Sequence, residues 1–319
     1  MATSVYEHNL QTKVNRTNLE TISASAIDKL RASIWLMSPP CQPYNSCVNA
    51  KKLDDKDLRS NSLIHLICTV LPALKNKPKY LLIENVKGFR TSNVRDMVVE
   101  TLTGLEYAIQ EVLLTPVQFG LPNQRLRYFL LAKKAPATFK TAPEEHYALR
   151  SRLFDGSDLL VSDPEIDLCA CCNPLCAPAH LGKCLCAYLE AEVDPRFFVP
   201  DRIVEKNGMK FDIVHPECSR TCCFTKGYGK LVDGAGSVMQ TTGETISQPK
   251  VASGIERGAD LLPYKLRYFT PEEIKRLHGF PMDMGFPDGM TDKAKYRLLG
   301  NSLNCVVLSH VMQYLFDSE

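Results

Sequence analysis

Pro39-Pro40-Cys41-Gln42 carries the side chain of this 319-residue sequence best placed for covalent chemistry. The tetrapeptide follows a short apolar run, Ser33-Ile34-Trp35-Leu36-Met37, that predicts a buried strand. Two prolines fix φ and remove backbone donors, so the segment can neither relax into a helix nor pair as a central strand. A loop beyond the carboxyl end of a strand is where open α/β sheets put their ligands, and thiols are good nucleophiles near neutral pH. Alone, Pro-Pro-Cys is more often a structural cysteine beside a kink. Three further stretches reverse the odds: Glu84-Asn85-Val86, Gln124-Arg125-Leu126-Arg127 and Gly300-Asn301-Ser302-Leu303-Asn304. Singly they read as a strand end, an edge-strand charge pair and a turn. In this order, each at the edge of an element, they offer a nucleophile, a carboxyl group and two guanidinium groups.

The elements that must position them alternate, which predicts a parallel sheet with crossover helices. Tyr80–Ile83 is a second buried strand, ending at Glu84-Asn85. Ser60–Leu74 reads as a helix with Leu63, Ile67, Val70 and Leu74 on one face, and Ser92–Leu105 as another. Tyr107–Leu114 and Tyr128–Ala132 read as an antiparallel pair. The pattern then dissolves into short segments, prolines and cysteines. It returns at Leu266, where Thr270 and Glu273 form a capping box around Pro271, before a last helix over Asn304–Phe316. The division expected is 1–132 and 266–319 for the larger domain, with 133–265 as a smaller insertion.

Lys and Arg number 38 against 36 Asp and Glu, a net charge of +2. Contact with nucleic acid therefore requires a local patch. Lys87, Arg90, Arg95, Lys226, Lys230 and Lys265 are the candidates, with Tyr44, Phe89 and Tyr228 either stacking on bases or packing in the core. No apolar run is long enough to span a bilayer, and the first residues lack the apolar centre of a signal peptide. The chain reads as a monomer of the cytoplasm, with the nucleus as a second compartment, that engages no membrane. In such a chain thirteen cysteines suggest free thiols, a nucleophile or a metal site rather than disulfides. Cys169, Cys172, Cys184 and Cys186 are candidate zinc ligands, but their spacing is not a clean pair of Cys-x-x-Cys knuckles, and a thiol-rich insertion without metal is the preferred reading.

With these stretches in place, the sequence resembles the cytosine carbon-5 methyltransferases, and more narrowly their tRNA-aspartate branch. The resemblance covers nearly the whole chain. It rests on Pro39-Pro40-Cys41-Gln42, on Glu84-Asn85-Val86-Lys87-Gly88-Phe89 and on Arg125-Leu126-Arg127-Tyr128-Phe129. It also rests on Cys223-Phe224-Thr225-Lys226-Gly227-Tyr228-Gly229, Leu266–Glu273 and Tyr296–Asn304. It implies a Rossmann-like, S-adenosylmethionine-dependent methyltransferase sheet, incomplete at its amino-terminal end, with a smaller inserted target-recognition domain. Cys41 would add to carbon 6 of a cytosine, making carbon 5 nucleophilic toward the methyl of S-adenosylmethionine. Glu84 would hold the ring N3 and amino group, and Arg125 and Arg127 would clamp the base carbonyl, the backbone and the Cys41 loop. Ser38 and Ser302 would touch S-adenosylmethionine, with Leu19 and Glu20 near its adenosine end; alternatively the two serines cap the loop and the last helix. The partner implied is tRNA, whose anticodon loop presents an unstacked base cheaply. DNA methylation and a non-catalytic RNA-binding product are the rival readings.

One departure from the family counts against full activity. No glycine precedes Gly88, so the glycine-rich cofactor loop and the strand before it have no counterpart here. The expectation is an incomplete sheet, apolar strand surface left uncovered, and a polypeptide with weak or no activity.

Overall fold

A computed structural model describes residues 1–44, 53–139, 184–231, 233–242, 245–246 and 255–317. The chain divides into two compact units. One comprises Asn15–Leu114, Leu126–Val161 and Ser309–Glu319, and is here called the nucleophile unit; the other comprises Met1–Val14, Thr115–Arg125 and Ser162–Leu308, and is called the clamp unit.

The nucleophile unit is built on a four-stranded sheet. Its strands are β1 (Ile34–Met37), β2 (Tyr80–Val86), β3 (Tyr107–Leu114) and β4 (Arg127–Lys134), in the order β1-β2-β4-β3. β1 runs parallel to β2, whereas β4 is antiparallel to both β2 and β3. The β3–β4 pairing agrees with the sequence. β2 is longer than expected: Glu84 and Asn85 belong to the strand rather than following it, so strand geometry fixes their directions. Leu81, Leu82, Ile83 and Leu130 are buried in this sheet. Leu63, Ile67, Val70 and Leu74 pack into the same core as Leu81, Ile83 and Leu130, with Val94, Val98 and Leu102 of the helix Asn93–Gly104.

Two local expectations are corrected. The predicted helix over 60–74 is α-helical at Asn61–Ile64 and Leu71–Ala73 and widens to a π-helix over His65–Val70. Pro72 follows directly; its ring and missing N–H are incompatible with a regular α-turn to the carbonyl four residues earlier. β1 is an edge strand, not a buried one: Ile34 and Leu36 are 38% and 49% exposed.

The clamp unit holds a second sheet: β5 (Ile213–Val214), β6 (Val238–Gln240) and β7 (Leu266–Tyr268), in that order. Phe224, Tyr228, Phe269, Ile274, Leu277, Tyr296 and Leu299 form one of its buried clusters. The helix Pro271–Leu277 begins with the predicted capping box: Thr270 Oγ1 accepts from Glu273 N at 3.1 Å, and Thr270 N donates to Glu273 Oε2 at 2.9 Å. Among the described residues, no helix is long and apolar enough to cross a membrane.

Candidate active site

Register sets the geometry in the nucleophile unit. Met37 of β1 lies opposite Ile83 of β2, so the next residue of each strand, Ser38 and Glu84, emerge side by side at the carboxyl ends of the two parallel strands. Ser38 Oγ donates to Glu84 Oε2 at 2.5 Å. On the other side of β2, Glu84 pairs with Phe129 and Val86 with Arg127. Arg127 is thus diagonal to Glu84 on the same face, and its Nε comes within 3.4 Å of Glu84 Oε1. Its Nη1 donates to Leu126 O at 2.7 Å. Ser38, Glu84 and Arg127 therefore form one polar group.

Cys41 is half-buried on the loop that leaves this group. Two anchors hold the loop. Asn85 Nδ2 donates to Pro39 O at 3.3 Å, and a 3-10 turn over Gln42–Tyr44 closes with Tyr44 N donating to Cys41 O at 3.1 Å. Tyr44 is buried, meets Phe89 edge-on at 4.8 Å between ring centroids, and lies 2.9 Å from Ser60 Oγ through its hydroxyl. Burial pushes that phenol up to about 12, although the Ser60 contact acts in the opposite sense. Gly88 lies directly under the turn: a Cβ there would come within 2.1 Å of Tyr44 O.

Sequence reasoning overlooked Arg59. Asp57 holds it by two side-chain hydrogen bonds, of 2.8 and 2.6 Å. These raise the guanidinium above its usual range, and the charge of Cys41 adds a smaller upward push. The Asp57 partner lies two residues away, whereas the relation to Cys41 comes only from tertiary folding.

Arg125 and Ser302 belong to the clamp unit. Arg125 is 3% exposed. Its Nη1 donates to Phe224 O at 3.2 Å and its Nη2 to Gly300 O at 3.1 Å and to Ser302 O. Its backbone N donates to Thr115 Oγ1 at 3.1 Å. Gly300 is required because a Cβ would come within 2.2 Å of Lys226 N and Thr225 C. The Cys223-Phe224-Thr225 stretch, Gly300-Asn301-Ser302 and Arg125 are therefore one assembly. Ser302 does not cap the last helix, Cys305–Phe316; Asn304 does, with Oδ1 accepting from Val307 N at 3.1 Å.

The other sequence candidates distribute as follows. Arg95 is buried and paired with Glu111 and Asp96, so it is a structural ion pair and not a surface phosphate contact. Tyr44, Phe89 and Tyr228 are buried core residues rather than stacking platforms. Burial raises the thiols of Cys222 and Cys305 to about 12 and about 11, which makes them poor nucleophiles. Cys169 and Cys172 lie outside the described residues. Cys184 and Cys186 are joined as a disulfide, and no group of three or more metal-ligating side chains occurs among the described residues.

A model of the C-5 cytosine-specific DNA methylases matches residues 1–317. The chain belongs to the C-5 cytosine methyltransferase family. The human tRNA (cytosine(38)-C(5))-methyltransferase is 34% identical, with 99% of this chain and 90% of that protein aligned. The Schizosaccharomyces pombe protein of the same name is 33% identical over 99% and 86%. A Dictyostelium discoideum relative named DNA (cytosine-5)-methyltransferase is 35% identical over 97% and 84%. Among solved structures, the Entamoeba histolytica methyltransferase EhMeth superimposes with a TM-score of 0.80 at 35% identity, covering 99% of this chain and 86% of that one. The S. pombe Dnmt2 methyltransferase gives 0.77 at 32%, over 98% and 87%. The chain falls in the tRNA (cytosine-38) branch of the family.

The family's methyl donor is S-adenosylmethionine. Of the residues expected to hold it, Ser38 gives its proton to Glu84 and Ser302 gives its own to Leu299 O at 2.7 Å. Leu19 and Glu20 occupy an exposed turn in which Asn18 Oδ1 accepts from Glu20 N at 3.0 Å. The first glycine, Gly88, packs beneath Tyr44 rather than opening a cradle of backbone N–H groups. Among the described residues, this set does not make up a donor cradle.

Proposed function

We propose that this chain acts on carbon 5 of a cytosine in tRNA, in an anticodon loop of the tRNA-aspartate type, through a covalent adduct with Cys41. The observation that carries this reading is the Ser38–Glu84–Arg127 group at the carboxyl ends of β1 and β2, with Cys41 on the loop that leaves it. The Cys41 sulfur bonds to carbon 6, and the carbon 5–carbon 6 π pair becomes available at carbon 5. Glu84 holds the ring N3 and the amino group, stabilising the charge pushed into the ring, while Arg127 fixes the Glu84 carboxyl and reaches the base carbonyl. Arg125 serves as the staple that keeps the Phe224 and Ser302 segments in place. The pair at carbon 5 takes a proton from water, and ring aromaticity is restored when the hydrogen originally on carbon 5 is lost as a proton and the thiolate leaves carbon 6.

The base-activating half of this chemistry can be measured without the methyl donor. An anticodon stem-loop RNA carrying tritium at cytosine carbon 5 is incubated with the protein, and tritium released to water is counted. Cys41-dependent release is expected; its absence overturns the proposal. The donor-side residues favour a second reading, in which the chain binds and activates the base but transfers methyl groups poorly. Robust transfer of a labelled methyl group from S-adenosylmethionine to the same RNA would overturn that second reading.

A further inference from the structure

Glu84 performs its part only if the plane of its carboxyl group is held against the base. The side chain reaches the site on a flexible stem, and its terminal torsion has broad minima that do not fix the plane. Two partners restrain it. Arg127 Nε stands 3.4 Å from Oε1, farther than the about 2.7–2.9 Å of a charge-assisted N–H···O⁻ bond. Ser38 Oγ lies 2.5 Å from Oε2, at the short end of the range of about 2.5–2.7 Å for a hydroxyl on a carboxylate. The arginine supplies charge and the serine supplies direction.

The backbone keeps Ser38 where it is. Met37, opposite Ile83, is the last residue of β1 in register with β2, and Pro39 restricts the residue before it to extended backbone. Asn85 Nδ2 donates to Pro39 O at 3.3 Å. The segments beyond the ladder are thus stitched in both directions, from the side chain of Ser38 to Glu84 and from the side chain of Asn85 to Pro39. Ser38 is exposed whereas Glu84 is 7% exposed, so the hydroxyl is the outer partner of an inner carboxyl group. The two partners also differ in kind. A guanidinium only donates, whereas a hydroxyl has one donor and two acceptor sites. Glu84 accepts from the amino group of the base as a carboxylate, but N3 is itself an acceptor, so holding it requires a proton between the two. Ser38 donates to the carboxylate and, by turning its hydroxyl, accepts from the carboxylic acid. Arg127 has no such alternative.

We propose that Ser38 is a positioning residue for Glu84, which keeps the carboxyl group turned toward the base in both of its protonation states, rather than a contact to the methyl donor. The inference rests on the base-activation reading above. Tritium release without the donor separates the two roles, because a serine that served only the methyl donor is silent in that assay. Rates are measured for the wild type, Ser38→Ala and Ser38→Thr over a range of RNA concentrations. Ser38→Ala is expected to lower the limiting rate roughly tenfold, the worth of one hydrogen bond to a charged group, with KM changed by less than about twofold. Ser38→Thr keeps the hydroxyl and is expected to recover most of the rate. Because Ser38 is exposed, the Tm of both variants should stay close to that of the wild type. Wild-type rates in Ser38→Ala, a loss carried by KM, a Ser38→Thr rate as low as that of Ser38→Ala, or a Tm several degrees lower would each overturn the inference while leaving the Cys41 reading intact. A wild-type protein without Cys41-dependent release would overturn both.

Discussion

Arg125 and Arg127 are two residues apart in the sequence and do opposite things. Arg125 is buried and addresses backbone: the carbonyls of Phe224, Gly300 and Ser302. Arg127 is partly exposed and addresses a side chain, the Glu84 carboxylate, at 3.4 Å. The same guanidinium fork serves as a structural staple in one unit and as an orienting charge in the other. The difference follows from where each donor's partners lie. Three carbonyls from two segments are served by a permanently buried donor, whereas the Glu84 carboxylate at the strand ends is met by a donor that stays partly exposed.

The contrast can be pressed from several sides. Removing the nucleophile has the largest effect: Cys41→Ala should cut tritium release by at least about a thousandfold, because loss of a covalent catalytic group is rarely compensated. Glu84→Gln should follow, lowering release on the order of 10²–10⁴-fold with little change in RNA affinity. The two arginines then separate. Arg125→Lys is expected to destabilise the fold by about 3 kcal/mol, since an ammonium donates from a single nitrogen and cannot span carbonyls that the guanidinium reaches from two, and chemical denaturation measures this. Arg127→Ala should change stability by under about 1 kcal/mol, as for other partly exposed pairs, while activity falls. Equal stability losses in the two variants would erase the distinction.

The smallest expected effect is on pH. The folded-state pKa of His215 is depressed by burial, so the unfolded chain binds the extra proton more readily. Its contribution is neutral well above its ordinary pKa of about 6.5 and becomes destabilising as pH falls below that value. His215→Leu should flatten the decline of Tm between about pH 7 and 5. An unchanged slope would place the pH sensitivity elsewhere.

What could be read from the sequence depended on how local each cause was. The capping box at Thr270 and Glu273 spans three positions and was legible. So was the buried face of Leu63, Ile67, Val70 and Leu74, because periodicity is a local signal. The exposure of Ile34 and Leu36 was legible only in part: four apolar residues in a row carry no alternation to mark an outer face, although apolar strand surface left uncovered was expected somewhere in the sheet. The π-helical stretch His65–Val70 was hidden because an apolar run looks alike in either helix. Arg125's role was hidden for another reason: its carbonyl partners at 224, 300 and 302 are brought to it only by tertiary folding. Arg59 was missed likewise, since its relation to Cys41 arises only in the folded chain.

Gly88 has no side chain, and that vacancy governs the height of the turn just after the proposed nucleophile, Cys41. Were a methyl group to occupy it, the Tyr44 carbonyl would have to rise, and Cys41, whose own carbonyl accepts from Tyr44 N, would be dragged along. The reach of the thiol is thus calibrated from below, by an amino acid with no chemistry of its own, and drift at position 88 could silence the protein while every reactive group stayed intact.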